Sequence, residues 1–257
     1  YTESEPFLPG FPSCIPGYYN MDIQIYRGYW MINWFLKEFG GREVNNIMMS
    51  DVSADDYNRN LKLVPPGSDG LILQPYWGPG LSRPLAKGAV IGFSDAITKE
   101  HFYRAIIEGI AYALREGLEH FEKKIHHSIP TLRLSGGGAQ SDEICQITAD
   151  VFGREVSRVQ TVETSSLGAA ISGFLAIGVY PSAEEATKAM VRVKDTFKPN
   201  PEVHKKYDYL YKKAYRQMYP SLKGISQNIK DFNKAEEKEA RAKAKKASSP
   251  FGNAESS

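Results

Sequence analysis

The residues of this chain best suited to hold a ligand lie between Thr131 and Val156, reading TLRLSGGGAQSDEICQITADVFGREV. A short apolar strand carrying Leu132 and Leu134 runs into Ser135-Gly136-Gly137-Gly138-Ala139, and a helix starts near Ser141-Asp142-Glu143. Glycine reaches positive φ and lacks the Cβ that keeps a ligand off the backbone. The first N–H groups of a helix have no partner inside it and attract polar or anionic groups. The chemistry on offer is therefore binding by backbone. No catalytic residue and no metal ligand is assigned. The same pattern also describes a plain tight turn between strand and helix. Two phosphate-loop readings fail, because there is no GxxxxGK[ST] and the glycine spacing is not GxGxxG.

The elements that position this turn follow from apolar spacing. Ile144, Ile147, Val151 and Phe152 give the helix after the turn one apolar side, Gly153 closes it, and a strand is expected over Glu155 to Val159. Residues 1 to 20, rich in proline and glycine, read as an irregular lead-in. A helix is predicted from about Tyr26 to Phe39, stopped by Gly40-Gly41, with Asn33 as a solvated or hydrogen-bonded break in its apolar side. Residues 51–63 read as a short polar helix. Gly70 to Trp77 reads as a buried strand, and Gly88 to Phe93 as a second strand or turn after a loop with two prolines.

Thr98 is the expected N-cap of the longest helix, about residues 99–125, with the stripe Ile106, Ile110, Leu114, Leu118, Phe121 and Ile125. Arg104 and Glu108, four residues apart on it, read as a surface pair. Further helices are expected from Glu163 to about Ala176, after Pro181-Ser182 with Glu185 at the capping-box position, and over Val203 to Met218. Gly168, Ala169, Ala170 and Gly173 would let the first of these pack closely on another backbone. From Lys234 to Lys246 the residues are almost all Ala, Glu, Lys and Arg, which reads as a solvated helix or disorder, and the last ten residues read as flexible. The expected organisation is a unit over 1–225 and a charged tail over 226–257, helical or disordered.

The chain has 257 residues and a formal net charge of +2. This leaves ample length for a core and no argument for nucleic acid as a partner. Two cysteines, Cys14 and Cys145, make neither a disulfide framework nor a metal knuckle and favour a reduced, cytoplasmic compartment. No apolar run reaches membrane-spanning length, so no membrane partner is expected. The first residue is Tyr1 rather than Met, as in a fragment or processed form.

Several stretches, in this order, resemble the C-terminal domain of the FGGY carbohydrate kinases, which include glycerol, xylulose, ribulose and gluconate kinases. They are Gln74-Pro75-Tyr76-Trp77, Gly88 to Phe93, and the signature His101-Phe102-Tyr103-Arg104-Ala105-Ile106-Ile107-Glu108-Gly109. Ser135-Gly136-Gly137-Gly138-Ala139-Gln140-Ser141, followed by Gln146 and Ala149-Asp150, is similar to the family's adenosine motif. Ser166-Leu167-Gly168-Ala169-Ala170 is similar to its second interdomain-connection motif.

The resemblance implies an α/β domain of the actin-like ATPase, ribonuclease-H-like fold, with a mixed sheet and flanking helices. It implies ATP and Mg²⁺ as cofactors, ATP or ADP and a sugar or polyol as partners, and the capacity for a homodimer. It places Gly136, Gly137, Gly138 and Ala139 beside the adenosine, Ser141 and Asp142 close by at the helix start, and Asn33 near the adenine. The small residues usual before that last position are replaced here by Tyr29 and Trp30.

The catalytic aspartate and most sugar contacts of the family belong to its N-terminal domain. This chain is accordingly expected to be the ATP-binding C-terminal half of a kinase that phosphorylates a sugar or polyol hydroxyl, inactive alone. Two other readings are a nucleotide-binding actin-like module without kinase activity and an α/β domain using the glycine turn for a different ligand.

Overall fold

A computed structural model of the chain describes residues 10–15, 17–39, 53–78 and 83–247. The lead-in before Gly10, the Gly40-Gly41 stop, positions 79–82 of the proline loop and the terminus from 248 lie outside these residues. The core is organised around helix α3, Lys99–Ile125, whose residues Tyr103 to Ala113 are all buried. A helix buried on every side has to accept close neighbours. At Gly109 a Cβ would collide with the Leu73 carbonyl, so glycine here lets a strand pass against the helix. That strand is β3, Ile72–Gln74, paired antiparallel with β4, Ala89–Ile91, in the register Leu73 opposite Val90. Of the predicted stripe, Ile106 and Ile110 are fully buried, and Leu114, Leu118, Phe121 and Ile125 are half-buried where α3 nears the surface.

Helix α1, Trp30–Phe39, buries Met31, Phe35 and Leu36 against this core, and α2, Ser53–Asn60, runs into a 3-10 turn at Leu61–Leu63. The predicted helix from Tyr26 thus begins four residues later, after a turn over Tyr26 to Tyr29. The lead-in is less irregular than expected. Gly10–Pro12 (β1) pairs antiparallel with Tyr19–Met21 (β2), and Gly17, at φ 83°, stands in the connection.

The sheet that carries the glycine turn has three strands, β5 (Thr131–Leu134), β6 (Glu155–Val159) and β7 (Val193–Phe197), in that order. β5 and β6 are parallel, with Thr131 opposite Glu155 and Leu134 opposite Arg158, and β7 joins β6 antiparallel. A parallel pair needs a crossover, and here it is α4, Asp142–Phe152, the helix predicted after the glycines. α4 packs its Ile144, Ile147 and Val151 into the core beside α3.

Helix α5, Thr164–Ala176, buries none of its residues, and a Cβ at Gly168 or Gly173 would meet nothing within 4 Å. Among the described residues, then, its small side chains do not serve close packing. α6, Ala183–Met190, starts as its sequence indicates, with Ser182 Oγ accepting from the Glu185 N–H at 3.2 Å. α7, Pro201–Leu210, continues through a π turn at Tyr211–Tyr215 into α8, Arg216–Ala247. Tyr207, Tyr211 and Tyr215 recur on the face toward α3, where Tyr112 stacks on Tyr211 at 5.9 Å between centroids. α8 is continuous across position 225, and its residues 234–244 are exposed.

Candidate functional site

The glycine turn leaves β5 at Ser135 and enters a 3-10 turn, Gly137–Gln140. Gly136 has φ 80°, a conformation that only glycine adopts without strain. Its N–H donates to the Val162 carbonyl at 3.3 Å, and the Ala139 N–H donates back to the Gly136 carbonyl at 3.1 Å. Ser141 then caps α4, its Oγ accepting from the Ile144 N–H at 3.3 Å and donating to Glu143 Oε2 at 3.1 Å. The Ser141 hydroxyl is thereby committed to the helix start. The far end of α4 closes on Gly153 at φ 64°.

The three glycines are not equivalent. A Cβ on Gly136 or Gly137 would meet nothing within 4 Å, so that face of the turn is open. A Cβ on Gly138 would lie 2.9, 3.1 and 3.2 Å from Cζ, Cε2 and Cε1 of Tyr29. The ring of Tyr29 therefore lies face-on to Gly138 at its hydroxyl end. That end is buried beside Thr148 and Cys145, and burial pushes the phenol well above its ordinary pKa. Cys145 in turn donates from Sγ to the Ala139 carbonyl at 3.6 Å, and burial raises its thiol to about 11. Asn33 is exposed on α1, and Tyr29 stands in the turn that leads into that helix. Tyr29 joins the turn before α1 to the glycine turn.

Sequence reasoning missed the residue that holds the turn in shape. Arg158, at the end of β6 opposite Leu134, donates from Nη1 to the carbonyls of Ala139 (3.0 Å) and Gln140 (3.2 Å). Its Nη2 pairs with Asp142 Oδ1 at 2.6 Å, and its Nε pairs with Asp195 on β7. One guanidinium thus ties the 3-10 turn, the first residue of α4 and the sheet together, a use suited to its planar fork of donors. The signal was faint. The alternation of β6 places Arg158 on one face, but only the parallel register shows which loop lies beside it.

The pair on α3 is a correction. Arg104 and Glu108 are not on the surface but 6% and 2% exposed. Arg104 donates from Nε to Glu108 Oε1 (2.7 Å), from Nη1 to the Leu61 carbonyl (2.6 Å) and from Nη2 to the Tyr207 hydroxyl (2.7 Å). Glu108 also accepts from the Gly67 N–H and from Ser68 Oγ, pinning a turn in which Ser68 and Asp69 hold positive φ. His101 adds a 3.0 Å contact from Nε2 to Asp69 Oδ2. Charges taken out of water need partners at every donor and acceptor, and tertiary structure supplies them here. The helix signature is a device for packing.

Beside α4 lies a cleft of about 300 Å³ whose lining includes Asp142, Glu143, Gln146 and Asp150 together with Arg104 and Phe197. Burial raises the Asp150 carboxyl above its ordinary pKa, opposed by its hydrogen bonds from the Asn200 N–H and Gln146 Nε2. Among the described residues no group of three or more His, Cys, Asp or Glu side chains could hold a metal ion, and no helix is long and apolar enough to cross a membrane.

The chain is similar to known proteins in sequence and in fold. The family model for the FGGY carbohydrate kinases, C-terminal domain, matches residues 6–177. The uncharacterized sugar kinase YgcE of Escherichia coli K12 is 32% identical over 195 residues, covering 76% of this chain and 40% of that protein. The xylulose kinase of Lactococcus lactis is 32% identical over 229 residues, covering 87% and 43%. The crystal structure of xylulose kinase from Rhodospirillum rubrum superposes with a TM-score of 0.70 at 25% identity, covering 88% of this chain and 44% of that one. The chain spans less than half the length of these relatives. The fold is the actin-like, mixed α/β class that the sequence led us to expect.

Proposed function

The chain belongs to the FGGY family of carbohydrate kinases, and from that premise we propose that it is the nucleotide-binding part of an enzyme that transfers the γ-phosphoryl group of ATP to a sugar or polyol hydroxyl. The observation that carries the reading is the open face of Gly136 and Gly137 directly before the N-terminus of α4. Backbone bare of Cβ atoms there, beside the start of a helix, leaves room for a polar ligand to approach the main chain. The backbone of Gly136 and Gly137 would face the nucleoside, with Gly138 and the buried Ala139 supporting the turn behind them; Asp142 would stand at the helix start, and Asn33 would approach from α1.

We assign residues 1–225 to the nucleotide-binding unit and 226–257 to a charged extension. Mg²⁺ would arrive with the nucleotide phosphates, since the described residues offer no cluster for a resident ion. Its role would be to neutralise charge on the transferring group. The part played by this chain is to bind and orient, and positioning alone is worth on the order of 7–11 kcal/mol of barrier. The cytoplasm is the compartment that two unpaired cysteines suit.

Calorimetric titration of the purified chain with ADP, beside a coupled ADP-release assay against xylulose, glycerol and gluconate, tests the proposal. We expect ADP binding and no acceptor-dependent turnover by these 257 residues alone. Absence of ADP binding at millimolar nucleotide would overturn it.

A further inference from the structure

We infer that Tyr29 is a positioning residue for the nucleotide, a fixed prop that holds the glycine turn in the shape its ligand meets. The inference rests on the nucleotide reading above and deepens it. Tyr29 touches no part of the ligand in this role and acts through Gly138. A run of three glycines has no side chains to hold its own shape and loses the most backbone freedom on ordering, so its support has to come from outside.

The fit between the two residues supplies that support. At Gly138 the atoms nearest to the place of a Cβ are Cζ, Cε2 and Cε1 of Tyr29, at 2.9, 3.1 and 3.2 Å, whereas a Cβ on Gly136 or Gly137 would meet nothing within 4 Å. The ring fills the space behind one glycine of the turn and leaves the other two open. Its hydroxyl end is buried beside Thr148 and Cys145 of α4, and Cys145 Sγ donates to the carbonyl of Ala139, the residue after Gly138. Two consecutive residues of the turn thus rest on two side chains that are neighbours of each other.

The segment that carries the ring is itself fixed. The Gly28 N–H donates to the Ile25 carbonyl at 3.0 Å, the Met31 N–H to the Arg27 and Gly28 carbonyls at 3.2 and 3.1 Å, and the Ile32 N–H to the Tyr29 carbonyl at 3.1 Å. Met31, Phe35 and Leu36 follow directly and are buried, and Tyr29 packs against the same core. The ring is therefore anchored in the core at its base and against α4 at its tip. A binding site needs its backbone held to within about 0.5 Å, and side chains locked by packing provide this.

Moving bulk from one side of the contact to the other tests the role. Calorimetry with ADP and thermal melts compare the wild-type chain with Tyr29→Ala, Tyr29→Phe, Gly138→Leu and Tyr29→Ala/Gly138→Leu. Tyr29→Ala, which frees the turn, should weaken ADP by about tenfold, and Tyr29→Phe, which keeps the ring, should stay within about threefold of wild type. Gly138→Leu should also weaken ADP by about tenfold, because it drives a side chain into the ring. The double variant should bind ADP tighter than either single variant, since the leucine takes up space the ring has left. Should Tyr29→Ala fail to fold, Tyr29→Leu, whose side chain ends short of Gly138, replaces it with the same expectation. A Tyr29 variant that lowers the melting temperature but keeps ADP affinity within about twofold, or raises it, would make Tyr29 part of the core only. Losses that simply add in the double variant would mean that Tyr29 and Gly138 act separately. Either result overturns the inference while the nucleotide reading stands. A wild-type chain that binds no ADP overturns both.

Discussion

The Tyr207 hydroxyl donates a 2.7 Å hydrogen bond to Glu108 Oε1, across 99 residues of sequence. Arg104 closes the triangle by donating to both partners. The α7 segment is thereby fastened to α3 through a buried charge pair rather than through apolar contact alone. Removing one member leaves the other charged and dry, which typically costs about 3–5 kcal/mol. Glu108→Leu should therefore lower the urea-unfolding free energy by about that amount. The double variant Arg104→Met/Glu108→Leu should recover a good part of it, since apolar replacement of both partners removes the stranded charge. A single-variant loss under about 1 kcal/mol would mean that Arg104 finds water or another acceptor.

What sequence could and could not show divides along this triangle. A helix start near Ser141, its close at Gly153 and the whole span of α3 were readable, because caps and stripes are decided by residues three or four apart. Arg104 and Glu108 were misread because spacing on a helix says that two side chains meet, not whether water is there. Their burial depends on Leu61, Gly67, Ser68 and Tyr207, brought in by other segments. Arg158 was invisible for the same reason, its partners lying 18 and 19 residues away. The glycine turn itself was legible, but only its tertiary neighbours separate Gly138, which makes room for Tyr29, from Gly136 and Gly137, whose Cβ side is open.

Arg158 gives the second prediction. It bonds the carbonyls of Ala139 and Gln140 and pairs with Asp142, so Arg158→Met should loosen the turn and the first residue of α4 together. ADP affinity should fall by about tenfold, roughly 1.4 kcal/mol. Arg158→Lys should fail to rescue it, because a point ammonium cannot span carbonyls and carboxylate as the planar fork does. Full rescue by lysine would reduce the role of Arg158 to its charge.

The glycines separate by their neighbours. Gly138→Val would drive a branched side chain into the Tyr29 ring, which is held at its hydroxyl end and has little room to yield. Overpacking of this kind costs about 1–3 kcal/mol. Gly137→Ala faces open space at a φ outside the left-handed region and should leave stability within about 0.5 kcal/mol. Thermal melts of both variants decide the matter: equal melting temperatures would show that Tyr29 moves aside freely.

Cys14 is exposed and Cys145 is fully buried, with its thiol raised to about 11 by that burial. Since the thiolate is the reactive form, an aromatic disulfide reagent at pH 7.5 should titrate one thiol quickly in the native chain. The second should react only in denaturant. Cys14→Ser should abolish the fast phase. The same shift has a consequence for stability. Between the ordinary thiol value of 9.0 and about 11, the folded chain keeps a proton on Cys145 that the unfolded chain has lost. Fewer protons bound in the unfolded state means that stability falls as pH rises through that window, and Cys145 has no effect below it. Cys145→Ala gives up the Sγ contact to Ala139 at every pH but should show a shallower decline in unfolding free energy from pH 9 to 11 than wild type. Parallel pH curves for the two proteins, or fast reaction of both thiols at pH 7.5, would show that Cys145 meets water and that the floor of the glycine turn opens in solution.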